Sequence, residues 1–198
     1  MRPEDILPTY ERHAEGYAAR RSRALFEKGW LDRMLDAAPG RRVLDLGCGP
    51  GAPLASFLAG QGAAVTGVDG AAAMLELFRE NLPGAEAIRA DMRGLALGRR
   101  FDAILAWDSF FHLSPADQRA MFPVFAAHAA PGAALLFTCG PEASERIGHV
   151  EGSPVYHASL SPDAYDACLT AAGFLTLAYV PEDPDCDYHT VRLARFTA

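Results

Sequence analysis

Three alternating glycines follow an aspartate at residue 45. The stretch Val43–Pro53 reads VLDLGCGPGAP, with Asp45 just before Gly47, Cys48, Gly49 and Gly51. A core helix or a plain turn does not need glycine at three alternate positions. Glycine there admits positive φ and removes the Cβ atoms that would hold a ligand away from the backbone. A second acid, Asp69, ends the next apolar run, 22 residues after Gly47. In a nucleotide-binding α/β unit an acid at that place accepts hydrogen bonds from ribose hydroxyls, so an adenosine-type ligand is implied. A dinucleotide site wants GxGxxG with a pyrophosphate on the helix N-terminus. This chain reads GxGxG, and a carboxylate at Asp45 repels a pyrophosphate but attracts a cationic amino group.

The elements that must position these groups alternate in type. Arg42–Leu46, Ala64–Val68, Glu86–Ala90, Phe101–Trp107 and Ala133–Thr138 read as strands. Ala52–Gln61 and Ala71–Asn81 carry apolar residues at helical spacing between them. Ser114-Pro115-Ala116-Asp117 opens a helix, with Ser114 as N-cap and Pro115 at the first helical position, and Ser161-Pro162-Asp163 opens another. Strands apolar throughout are buried on both faces, the mark of a mostly parallel sheet with helices on each side. Leu175–Val180 and Thr190–Phe196 have no helix between them and are expected to form a hairpin, so one of them runs antiparallel. The predicted fold is α/β, Rossmann-like, a seven-stranded mostly parallel sheet with a C-terminal antiparallel hairpin and N-terminal cap helices. One domain spans 1–198, with a helical cap at 1–38, an α/β core at 40–198 and an insertion at 141–160.

An adenosine bearing an ammonium and no phosphate describes S-adenosyl-L-methionine. VLDLGCGPG, with Asp69 closing the second strand and Asp91-Met92 the third, resembles the class I S-adenosylmethionine-dependent methyltransferase family over residues 40–198. The resemblance implies that Asp45 and the loop Gly47, Cys48, Gly49 and Gly51 surround the methionine part of that cofactor. It gives the ribose to Asp69, the adenine flanks to Gly70 and Met74, the adenine edge to Asp91 and Met92, and the end of the site to Trp107. From the cap, Tyr10, Tyr17 and either Arg20 or Arg21 are expected to face the cofactor, with Tyr17 and Arg20 the expected pair.

Residues Trp107–Leu113 read WDSFFHL. The Asn/Asp-Pro-Pro-Tyr/Phe motif of many DNA and protein amide methyltransferases is absent there. Two aromatics and a histidine suit a small acceptor, with oxygen the favoured atom. A base is needed if the acceptor starts protonated, and the candidates are His112, Asp108 and His157. His189, at the start of the last strand, reads as structural.

The chain has 198 residues, 50% of them hydrophobic and 22% charged, an ordinary globular composition. Its formal net charge of −7 argues against a large nucleic-acid surface. The acidic N-terminus lacks the apolar core of a signal peptide, and no run is long enough to span a membrane, so a cytoplasmic location is expected. The four cysteines include no CxxC pair and no zinc spacing, so no metal is expected. An RNA or protein methyltransferase, a non-catalytic S-adenosylmethionine-binding protein and a nicotinamide dehydrogenase remain the alternatives.

Overall fold

The computed structural model describes residues 2–198. Helices α1 (Ile6–Arg20) and α2 (Lys28–Ala37) precede β1 (Arg42–Leu46), α3 (Leu54–Gly60), β2 (Ala64–Asp69), α4 (Ala72–Asn81) and β3 (Glu86–Arg89). Then come β4 (Phe101–Ala106), α5 (Pro115–His128), β5 (Ala129–Cys139), β6 (Ser144–Val150) and β7 (Ser153–Ser159). The chain closes with α6 (Pro162–Ala171), β8 (Phe174–Asp183) and β9 (His189–Phe196).

Seven strands form one sheet in the order β3-β2-β1-β4-β5-β9-β8. The pairs β1–β2, β1–β4, β2–β3 and β4–β5 are parallel. β9 is antiparallel to both β5 and β8, so it alone is reversed, inserted between two strands that share a direction. The chain leaves β1 toward one edge and returns at β4 toward the other. The crevice beyond the carboxyl ends of β1 and β4 is therefore where such a sheet binds ligands. Every residue of β4 is buried, which fits its central place between two layers of helix.

The helix starts follow from their sequences. Ser114 Oγ accepts from the Asp117 N–H at 3.1 Å with Pro115 next to it, and Ser161 caps α6 through Ala164 N–H at 3.3 Å. β5 begins earlier than Ala133, because Pro131 and Gly132 are absorbed into the strand at a register shift against β4 rather than ending before it. The insertion at 141–160 is a separate two-stranded antiparallel sheet, β6–β7.

The expected cap divides in two. Only α1 lies over the crevice, with Tyr10, Ala14 and Tyr17 against Ala71 and Met74, and Ile6 against Val155 and Tyr156. α2 instead joins a face of the sheet, where Trp30, Leu31, Met34 and Leu35 pack with Val43, Leu136 and Leu193. The apolar spacing of α2 buries four side chains, so it is an ordinary layer helix.

Candidate active site

A cleft with ≈ 1050 Å³ between its walls, part of it open to solvent, opens at the carboxyl ends of β1, β2 and β4 beneath α1. Asp45, Gly47, Cys48, Gly49, Gly51, Asp69, Gly70, Met74, Asp91, Met92 and Trp107 all line it. Gly47, Gly49 and Gly51 have φ of +71°, +53° and +76°. A Cβ on Gly47 would lie 2.3 Å from Ser109 Cβ, and one on Gly51 would meet Leu82 and Phe78 at 2.7 Å. A Cβ on Gly49 would meet nothing within 4 Å. Two of the glycines therefore serve packing of the loop, and the third leaves open space on the cleft side.

Asp69 shapes the loop directly. Its Oδ2 accepts from Gly49 N–H at 2.9 Å and its Oδ1 from Ala71 N–H at 2.8 Å. Each oxygen retains a second lone pair for a ligand. Burial raises its pKa, against the lowering effect of those backbone N–H groups. Asp45 differs. It is only 4% exposed, and no hydrogen bond or ion pair reaches its carboxylate among the described residues. Burial, with the nearby charge of Asp69 added, pushes its pKa up to about 7. Burial also raises Asp91, but the hydrogen bonds and charge of Arg93 prevail and hold it low; Arg93 Nη2 lies 2.6 Å from Asp91 Oδ2.

The other wall comes from Trp107–Leu113, α1 and the β6–β7 hairpin. Phe110 anchors this loop. It is fully buried, with ring centroids 5.4–6.2 Å from Phe122, Phe125, Phe137 and Tyr165. Ser109 Oγ donates to the Leu46 carbonyl at 2.7 Å, which ties the loop to the end of β1. His112 sits in one turn of 3-10 helix, Phe110–His112. Its Nδ1 lies 2.8 Å from the Tyr156 carbonyl, which can only accept, so Nδ1 carries the hydrogen. Nε2 is then free to accept the Tyr10 O–H at 2.9 Å. Burial lowers the His112 pKa to about 4, so the ring is neutral at physiological pH. Buried Gln118 supports the arrangement by donating to the carbonyls of Leu113 and Ala158 and accepting from the Tyr165 hydroxyl at 2.6 Å.

Asp108 also lines the cleft. It has φ of +49°, in the left-handed region that L side chains adopt uncommonly, and its N–H donates to Thr138 Oγ1 at 2.9 Å. The buried Trp107 Nε1 has no partner among the described residues.

Not every expected residue faces this cleft. Arg20 is exposed and pairs with Glu151 of the hairpin. Arg21 faces the cleft instead, because α1 ends at Arg20 and the backbone turns out of the helix at φ −56°, ψ 123°. Arg21 Nη2 bonds Glu27 Oε1 at 2.6 Å and lies 3.6 Å from Asp108 Oδ2. His157 is half-buried behind the wall, its ring 4.8 Å from those of both His112 and Phe111, and it does not line the cleft. The strand register of β7 turns it toward β6, where it faces Gly148. Sequence reasoning missed two contributors, the backbone carbonyl of Tyr156 and the side chain of His189. Neither has a local signature; each reaches the site through strand pairing far along the chain.

Comparison with known proteins agrees with this geometry. A family model described as a methyltransferase domain matches residues 43–132. A trans-aconitate 2-methyltransferase of Methylobacterium nodulans is 34% identical over 160 residues, 72% of this chain and 60% of that protein. A ubiquinone biosynthesis O-methyltransferase of Bordetella pertussis is 30% identical over 118 residues, 56% of this chain and 47% of that protein. The chain spans between about a fifth and three fifths of the length of the curated relatives it matches. Among solved structures, an amino pentose methyltransferase from Micromonospora echinaspora, with S-adenosylmethionine bound, superposes with a TM-score of 0.73 at 25% identity. That match covers 94% of this chain and 96% of the other. Sequence and fold thus agree: residues 43–132 match a methyltransferase domain, and the whole chain is similar in fold to S-adenosylmethionine-dependent methyltransferases.

Proposed function

We propose that the chain binds S-adenosyl-L-methionine in this cleft and transfers its methyl group to a small-molecule acceptor. One observation carries the reading: Asp45 is a buried carboxylate with no partner, set beside a loop whose central glycine, Gly49, leaves open space. A buried charge without a counter-charge is costly, and the amino group of the cofactor would supply one. The spare lone pairs of Asp69 suit the ribose hydroxyls, Gly70 and Met74 the adenine faces, and Asp91 and Met92 its edge. Arg21, with Tyr17 beside it on α1, suits the cofactor carboxylate.

The cofactor supplies a methyl carbon made electrophilic by its sulfonium sulfur. The residues of the chain do the rest. The glycine loop and α1 would hold the cofactor and the acceptor against each other and exclude water, and such positioning supplies much of the acceleration for a displacement. His112, whose ring is oriented by the Nδ1 hydrogen bond to the Tyr156 carbonyl, would take the acceptor's proton on its neutral Nε2. Tyr10 must first release Nε2, since its hydroxyl occupies that lone pair. Oxygen remains the favoured acceptor atom, and the names of the relatives cover both oxygen and amino acceptors.

Calorimetric titration tests this. S-adenosylmethionine and S-adenosylhomocysteine should bind the wild type, and Asp69→Ala should weaken both by about 100-fold or more. Uptake of NADH with no binding of either would overturn the reading. Transfer of labelled methyl to an acceptor would separate an enzyme from a protein that only binds the cofactor.

A further inference from the structure

His189 lies just behind Asp108, at the start of β9. Its Nδ1 is 2.8 Å from the Cys186 carbonyl oxygen, and its Nε2 is 3.0 Å from Asp108 Oδ1. A carbonyl and a carboxylate both only accept. Both ring nitrogens must therefore carry hydrogen while Asp108 is ionised, which makes the ring an imidazolium. Two aromatic rings also lie beside it. Phe26 is 5.6 Å away at 30° and Trp107 5.4 Å away at 31°, and aromatic neighbours within such reach favour a cation.

The surrounding charges point the same way. Arg21 comes from the end of α1, Glu27 from just before α2, and Asp108 from the end of β4; Asp183 and Asp187 flank Cys186 farther out. Glu27 is fully buried, and its Oε2 has no partner among the described residues. Within the inner four groups, an imidazolium balances two cations against two anions. A neutral His189 would leave one buried negative charge uncompensated. Burial works to lower the His189 pKa, and the hydrogen bond and charge of Asp108 outweigh it. Asp108 is thus fixed by its N–H bond to Thr138 and by His189 on Oδ1. Its Oδ2 makes no hydrogen bond among the described residues, with Arg21 Nη2 3.6 Å away as an ion-pair neighbour, and Asp108 is one of the residues that line the cleft.

We infer that His189 is a positioning residue: it holds Asp108 as a carboxylate with Oδ2 available to the acceptor, which selects acceptors that offer an amine or hydroxyl hydrogen over those that offer only a carboxylate. The inference rests on the methyl transfer proposed above. Two histidines on one site then have opposite charge states, His112 neutral to take a proton and His189 charged to hold an anion in place.

Ring-nitrogen NMR of the full chain, labelled at histidine, distinguishes an imidazolium from either neutral tautomer, and His189→Gln assigns the signal. With or without S-adenosylhomocysteine, His189 should be an imidazolium at neutral pH and should become neutral in Asp108→Asn. A neutral His189 in the wild type overturns the inference, as does an imidazolium that survives Asp108→Asn. Labelled methyl donor is then offered with a panel of small amines, alcohols and carboxylates. Amines or alcohols should be methylated, and His189→Gln should lower their kcat/KM about 100-fold while S-adenosylhomocysteine binding persists. Methylated carboxylates alone, or no methylated amine or alcohol, overturn the acceptor class. Failure of S-adenosylhomocysteine to bind the wild type would instead sink the cofactor reading, and the NMR result would still decide the His189–Asp108 pair.

Discussion

The two walls of the cleft are built by opposite means. The β1–β3 wall is local: Asp45, the glycine loop and Asp69 lie within 25 residues, and backbone N–H groups make the key hydrogen bonds. The facing wall is assembled from afar. Tyr10 meets His112 across 102 positions, His112 meets Tyr156 across 44, and Asp108 meets His189 across 81. A ligand shared by many proteins can be served by a short segment that folds as a unit. A particular acceptor needs side chains that only the finished fold brings together.

The comparison is sharpened most by Asp69→Ala. The change removes the acceptor for two loop N–H groups and, on the proposed function, for the ribose together. S-adenosylhomocysteine binding is expected to weaken by 100-fold or more, from charge-assisted bonds worth about 1.5–3 kcal/mol each. Calorimetry reads it, and undiminished affinity would break the division.

His112→Gln should strike the other wall alone. Cofactor affinity should hold while kcat for an identified acceptor falls about 100-fold, the lower end for loss of a general base. The pH profile sharpens this further. Burial depresses the folded pKa of His112 to about 4, below the 6.5 of the unfolded chain. The folded state thus binds fewer protons, and this residue's contribution to stability falls as pH drops from about 6.5 toward 4.

Asp45 has the reverse sign. Its folded pKa is raised from 3.8 to about 7. The folded state holds the extra proton, so the contribution of Asp45 to stability falls as pH climbs from about 4 to 7. Binding of a cationic cofactor should strengthen with pH through about 7 and release a proton, visible as buffer-dependent binding heat. Asp45→Asn is expected to raise the melting temperature of the ligand-free chain and to weaken cofactor binding about tenfold.

The glycines give a finer contrast. Gly47→Ala should lower stability, since its Cβ would strike Ser109 at 2.3 Å. Gly49→Ala, whose Cβ enters open space at φ +53°, should lose about 1–2 kcal/mol to backbone conformation and should weaken cofactor binding more than Gly47→Ala does. Smallest of all, Arg20→Ala removes an exposed pair with Glu151 and should change neither binding nor melting measurably.

Legibility in the sequence follows the same line between the walls. The strand-loop-helix units announce themselves through apolar runs, glycines and the Ser-Pro starts of α5 and α6, and the β1–β3 wall comes with them. Arg20 and Arg21 show the limit of periodicity. A helix that ends one residue earlier or later swings a side chain from solvent into the cleft, and end positions are the least marked part of a helix. His157 and Tyr156 show the limit of composition. Alternation in a strand decides which side chain faces where, and in β7 it leaves the carbonyl of Tyr156 as the useful group. His189 could not be linked to Asp108 without knowing that β9 slots in beside β5.

Leu7 and Tyr10 form part of a roof. Leu7 packs so close to Gly70 that a Cβ there would meet it at 2.5 Å, and Tyr10 is bonded to His112 beneath it. Such a roof sets a tempo as well as a shape. On the proposed function, spent cofactor would leave only as α1 lifts, and residence time, more than bond making, would then limit turnover. Changes that loosen α1 from the hairpin, far from any reacting atom, are then changes in speed.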